Sequence, residues 1–223
     1  MRGADCGRRA RARIGPASAR AAEGARASTR GSSPQGPRPE LASLLPPDWR
    51  TAVYLALDFE TTGLDPARER VVEVGAIRFM ASAAGPASEQ GALCTLVRPG
   101  IPIPRQVVAI HGIRDADVEH APPFAEIGPS LAALASGAWI VAHNAPFDLS
   151  FLRGELARAG LPQPLNPVLD TRVLAKAAFP GLPSYRLVDL AARFGIDAGT
   201  SHRALDDART CMSLLLLCAA RSA

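Results

Sequence analysis

Lysine is almost missing from this chain: of 25 basic residues only Lys176 is a lysine. Arginine has displaced lysine throughout, so an arginine-rich stretch is unremarkable here and does not by itself mark a nucleic-acid site. Cysteine is scarce too. Cys6, Cys94, Cys211 and Cys218 are too few and too scattered for a disulfide framework or a zinc knuckle. That leaves reduced thiols in a cytoplasmic protein as the expectation. The leucine run at 214–217 is far shorter than the ~20 apolar residues of a membrane span, so no membrane partner is expected. Residues 1–30 lack the apolar centre of a signal peptide. A basic body is also missing. The net charge is +4, yet residues 1–40 hold nine arginines against three acids, so the remainder is net acidic. Such a body speaks weakly against nucleic-acid binding, unless its acids gather around metal ions.

What is present is 223 residues, 48% hydrophobic and 21% charged, enough for one domain with a real core and some spare sequence. Residues 1–50, rich in Arg, Ala, Gly, Ser and Pro, show almost no periodicity and are expected to form a disordered tail. Their composition superficially matches an organelle transit peptide, but a plain tail is the simpler reading. The domain is expected over residues 51–223. Strands are expected at 53–58, 71–80 and 92–97, close enough in sequence for an antiparallel meander. Further on, helical spacing at 124–135, 146–159, 171–179, 185–194 and 204–219 alternates with short strands at 139–142 and 168–169. Three strands followed by alternating helices and strands predict an α/β fold with a mixed sheet, helices on its faces.

Three short segments carry chemistry. Asp58-Phe59-Glu60-Thr61-Thr62-Gly63 sets two carboxylates two residues apart at a strand end, pointing to one face. A solvated strand end would look the same, but carboxylates held so close make sense around a divalent cation. His143-Asn144-Ala145-Pro146-Phe147-Asp148 follows the strand at 139–142. Pro146 suits a first helical turn, with Asn144 or Ala145 near the cap. Asp148 then either complements the helix dipole or joins a ligand site at the carboxyl end of a strand. Ser201-His202-Arg203-Ala204-Leu205-Asp206-Asp207-Ala208 opens the last helix. His202 and Asp207, five apart, lie about 140° apart on a helix and converge only if His202 sits on the preceding loop. Together these segments bring four carboxylates and a histidine to strand ends and helix starts. That set suits two divalent metals about 3.5–4 Å apart and a histidine that takes a proton from water.

These three blocks resemble the DEDDh family of exonucleases, whose fold is RNase H-like. The resemblance runs from about residue 53 to 217, with the motifs in the family's order and spacing. It includes the His111-Gly112-Ile113 turn and Asp170-Thr171. His202, five before Asp207, matches the histidine subclass. The resemblance implies a metal-dependent 3′→5′ exonuclease releasing nucleoside 5′-monophosphates, with two Mg²⁺ or Mn²⁺ ions. Asp58, Glu60, Asp148 and Asp207 would be the metal ligands and His202 the general base, with Asp206 as the rival for Asp207's role. Thr61, Thr62, Gly63 and Leu64 would meet the terminal nucleotide, and Asn144 and Phe147 would line its pocket. Within the family the blocks look most like the proofreading epsilon subunits of bacterial replicative polymerases. That favours a single-stranded DNA 3′ end as substrate and makes a DNA polymerase subunit a candidate partner. RNA 3′ ends, as in the ribonuclease T and oligoribonuclease branches, are the alternative, and a non-catalytic nucleic-acid-binding module is a third reading. Ala223 follows soon after the third block, which leaves little room for a polymerase-tethering extension and favours a free-standing exonuclease.

Overall fold

The strand that carries the first motif is apolar on both sides. In the computed structural model, which describes residues 39–81, 87–200 and 202–222, β1 (Val53–Thr61) sends Tyr54 and Ala56 into one core cluster. Leu55, Leu57 and Phe59 enter a second cluster on the opposite face. A strand buried on both faces belongs at the centre of a sheet. β2 (Val71–Met80) pairs antiparallel with β1, and β3 (Ser88–Leu96) antiparallel with β2. β4 (Trp139–Ala142) and β5 (Val168–Asp170) add on β1's other side as parallel strands, giving the order β3-β2-β1-β4-β5.

The helices cover both faces, as the mixed-sheet reading requires. α4 (Phe124–Ala135) and α5 (Ala145–Arg158) bury Leu131, Phe151 and Leu156 against one face. α6 (Thr171–Ala178), α7 (Leu187–Phe194) and α8 (Ala204–Ala219) bury Leu174, Leu190 and Leu214 against the other. β2, α4, β4 and α8 have the bounds read from the sequence, while β1 and β3 run longer than expected. Two short helices were not anticipated. α2 (Arg105–His111) and α3 (Asp115–Val118) are seven and four residues long, too short for a 3.6-residue period to register. They sit over Val72 through Ile103, Ile113 and Val118.

The expected tail over residues 1–50 needs a correction at its end. Residues 1–38 lie outside the described residues, but the packed fold begins before Thr51. α1 (Pro39–Ala42) places Leu41 in the α8-side cluster, fully buried, with Leu45 beside it and Trp49 packed on its edge. Leu41, Leu45 and Trp49 recur every four residues, a helical spacing hidden by the prolines and arginines around it. No helix among the described residues is long and apolar enough to cross a membrane.

Candidate active site

The alternation of β1 decides where its acids point. Tyr54 and Ala56 face α8, so Asp58 and Glu60, continuing the same parity, face α8 too. A register shift at Glu60/Thr61 then bends the strand end out of the ladder. α8 comes close to this strand because β2 offers a glycine: Asp58 pairs with Gly75. A Cβ on Gly75 would lie 2.1 Å from the Ala204 carbonyl carbon. Only a bare backbone there lets the first turn of α8 descend onto the sheet and bring Asp207 to β1.

Single ligand atoms of Glu60, His202 and Asp207 all lie within 4.8 Å of one another. His202 is exposed on the turn before α8 with φ 62°, a left-handed conformation uncommon for a side-chain-bearing residue. Its backbone N–H donates to Asp207 Oδ2 at 3.1 Å, which fixes the turn against the helix start. The loop-plus-helix arrangement needed for convergence is the one observed. Asp206 is engaged elsewhere: its Oδ2 accepts from the Thr200 N–H at 2.9 Å and Oδ1 faces Arg209 at 3.8 Å.

Asp148 enters from the other face. It lies in the first turn of α5, 2% exposed, and accepts the Phe59 N–H at 3.1 Å. Asn144 takes the N-cap position of α5, with Pro146 in the first turn, as the sequence reading placed them. Asn144 has φ 69° and makes no side-chain cap bond. Asp170, at the end of β5, caps instead. Its Oδ1 accepts from Asn144 N and Arg172 N, and its Oδ2 from Ala145 N. One carboxylate thus holds the starts of α5 and α6 together. His143 adds a second tie, reaching Thr171 Oγ1 at 2.9 Å and the Tyr185 carbonyl at 2.8 Å.

The electrostatics fit a cation site. Burial raises Asp58 well above the usual carboxylate range, and Asp148, Asp207, Glu60 and Glu73 add to the rise. Burial likewise pushes Glu60 up to about 8, with Asp207, Glu73 and Asp148 adding and Arg203 opposing. Asp148 is pushed up to about 8 by burial, against the Phe59 N–H that it accepts. Asp207 is raised by burial, opposed by the His202 N–H. Two carboxylates about 4 Å apart repel by about 4 kcal/mol at an effective dielectric of 20. Four of them with hard oxygen donors, plus an imidazole, suit a Mg²⁺- or Mn²⁺-type ion.

Sequence reasoning missed the residues that hold this cluster in place. Glu73, 1% exposed, sits on β2 directly opposite Glu60. It accepts from Arg203 Nη2 at 2.7 Å and Nε at 3.1 Å, and from the Ala204 N–H at 3.1 Å. This fork ties the histidine turn to β2 and pairs the guanidinium that opposes the rise at Glu60. The signal was a Glu and a Gly inside an apolar run, Val72-Glu73-Val74-Gly75. His111 was noted only as part of a turn. It is buried, accepts the Ile113 N–H and contacts the Thr61 carbonyl at 3.3 Å; burial lowers its pKa.

The substrate-side residues divide. Leu64 is 84% exposed at the tip of the loop, Asn144 is exposed, and Phe147 is half-buried against Phe151. The Thr61 hydroxyl donates to the Gly63 carbonyl at 2.6 Å. Thr62 is 1% exposed and its hydroxyl donates to Glu69 while accepting the Arg70 N–H. Its side chain closes the loop. A Cβ on Gly63 would lie 2.8 Å from Glu69 Cδ, so the Glu69 side chain would have to shift to admit one. A mostly apolar cavity of about 530 Å³ between α4, α5 and Pro164 lies by Leu55 and Trp139, away from the carboxylates.

An exonuclease family profile, that of RNase T, matches residues 55–215. The DNA polymerase III subunit epsilon of Treponema pallidum is 40% identical over 178 residues, covering 75% of this chain and 79% of that protein. Exonuclease X, solved with 5′-overhanging duplex DNA, superposes with a TM-score of 0.59 at 28% identity, covering 76% of this chain and 92% of that one. Escherichia coli exonuclease I, solved with single-stranded DNA, superposes with a TM-score of 0.68 at 21% identity and shares the RNase H-like fold. The match covers 77% of this chain but 41% of exonuclease I.

Proposed function

From the premise that this chain belongs to the exonuclease family, we propose that it is a metal-dependent 3′→5′ exonuclease acting on single-stranded DNA ends. The observation that carries this reading is the convergence of Glu60, His202 and Asp207 within 4.8 Å, beside Asp58 and the buried Asp148. Asp58, Glu60, Asp148 and Asp207 would hold two divalent ions. Bound there, such ions would supply Lewis acidity toward the phosphate and would lower the pKa of a water. His202, on its exposed turn, takes a proton from the attacking water. The water oxygen bonds to phosphorus, the bond to the preceding 3′ oxygen breaks, and a nucleoside 5′-monophosphate departs. Leu64 at the loop tip packs against the terminal base, Thr61 and Gly63 border its sugar, and Asn144 and Phe147 flank it.

Similarity to a DNA polymerase III epsilon subunit and to exonuclease X supports DNA as the substrate and a polymerase subunit as a partner. RNA ends are the second reading, favoured by the ribonuclease name of the family profile. The setting we propose is the cytoplasm, where buried thiols such as Cys211 and Cys218 stay reduced. Single strands of matched DNA and RNA sequence, digested with Mg²⁺, test the substrate. Higher kcat/KM on DNA supports the proposal, preference for RNA overturns its substrate half, and hydrolysis of neither overturns the whole.

A further inference from the structure

The loop bearing Leu64 ends at Arg70, and behind it lies a small cavity of about 200 Å³ walled by three arginines. Arg158, at the end of α5, pairs with Glu155 at 3.0 Å and donates to the Pro66 carbonyl at 3.0 Å. Arg70 Nη1 donates to the carbonyls of Arg68 at 3.0 Å and Glu69 at 2.8 Å, neutral groups that leave its charge uncompensated. Arg98, just past β3, is exposed, and its guanidinium makes no hydrogen bond or ion pair with any described residue. Glu155 is the sole acid among the lining residues, and its Oε1 also accepts the Val71 N–H at 3.1 Å. The residues lining the cavity therefore carry a net charge of about +2, three arginines against one glutamate. Like charges gathered without a counter-charge cost stability, and the cost vanishes when an anion enters.

The position gives the anion a role. Val71 lines the cavity and is the sheet partner of Thr61, the residue after Glu60 in the strand. The cavity thus opens at the same end of the sheet as the carboxylates, on the α5 face. Guanidiniums recognise phosphate through forked donors, and Phe124 and Ala125 in the first turn of α4 line one wall, where the helix dipole favours an anion. We propose that this cavity binds a phosphodiester of the nucleic-acid backbone remote from the bond being cleaved, with Arg98 as its principal contact. The site holds the strand while the carboxylate cluster, itself repulsive to phosphates, works on the end. It rests on the nuclease reading only for the identity of the polyanion.

Binding of a fluorescent single-stranded oligonucleotide to the full chain, followed by anisotropy in EDTA, tests the site without cleavage. Arg98→Glu raises Kd roughly tenfold or more, the range of one lost charged contact. The slope of log Kd against log salt falls by about 0.7, the value of one phosphate contact on a single strand. Arg98→Gln gives a smaller rise of the same sign. An unchanged Kd and slope in Arg98→Glu overturn the proposal. So does a thermal shift by inorganic phosphate that Arg98→Glu removes while oligonucleotide binding stays constant, since the cavity then serves a free anion. Cleavage is scored separately with Mg²⁺, so Arg98-dependent binding without hydrolysis sinks the nuclease reading and leaves this site standing.

Discussion

At the scale of the residue, the account stands on four carboxylates whose charges repel in the absence of a cation. Asp58→Ala, Glu60→Ala, Asp148→Ala and Asp207→Ala should each abolish Mg²⁺-dependent cleavage, while metal-free thermal stability holds or rises because repulsion is relieved. Wild-type turnover in any of the four would sink the assignment. Asp206→Ala should be much milder, since Asp206 bonds Thr200 N and not the cluster. His202→Ala should lower kcat by the ~10²–10⁴-fold of a lost general base. If excess Mn²⁺ restores its full rate, the imidazole is a ligand instead. Glu73→Gln weakens the tie to Arg203. Losing a partner in a buried pair costs about 3–5 kcal/mol. The Arg203 side chain is 39% exposed, so a loss of about 2 kcal/mol is expected from the melting temperature, together with a fall in kcat. That the motif acids come together was legible because their places at a strand end and in first helical turns fix where they point. Glu73 was not, because its role depends on a partner 130 residues away.

At the scale of the element, the geometry of the proposed site depends on two close approaches. α8 meets β2 at Gly75, and α5 starts on the Asp170 carboxylate. Gly75→Ala forces a methyl into the Ala204 backbone, which cannot give way as a flexible side chain would. Overpacking of this kind costs about 1–3 kcal/mol, and it should also displace Asp207 enough to remove most activity. A Gly75→Ala protein with wild-type kcat would show that α8 needs no such approach. Asp170→Ala leaves two helix starts uncapped, which at about 1 kcal/mol each lowers stability by about 2 kcal/mol. Most helices and strands, and a mixed sheet opening on an antiparallel meander, were readable from apolar periodicity. α1 was lost because Leu41, Leu45 and Trp49 stand in an Arg/Pro-rich stretch, and α2 and α3 because they are too short to show a period. The Asp170 cap was unreadable, since long-range capping leaves no local spacing to find.

At the scale of the whole molecule, the charge cluster makes stability depend on pH and metal together. Glu60 and Asp148 are carboxyls whose folded pKa, about 8, lies above the unfolded value. The native state therefore binds protons more tightly, so stability is full below about pH 4 in this respect and is lost as pH rises toward 8. Metal-free protein should melt at progressively lower temperature across that window, and saturating Mg²⁺ should flatten the slope. A metal-independent slope would mean that the cluster is not the cation site. Part of the acidity of the body belongs to the same cluster, where Asp58, Glu60, Glu73, Asp148 and Asp207 act on one another, and the arginines at 70, 98 and 158 line a separate cavity. The most direct measurement is the product profile on a 5′-labelled single strand of DNA with Mg²⁺, run beside a closed circle of the same sequence. The account predicts a ladder shortening one nucleotide at a time from the 3′ end, nucleoside 5′-monophosphates as the released species, and an intact circle. Internal fragments from the circle, or release of 3′-monophosphates, would contradict it.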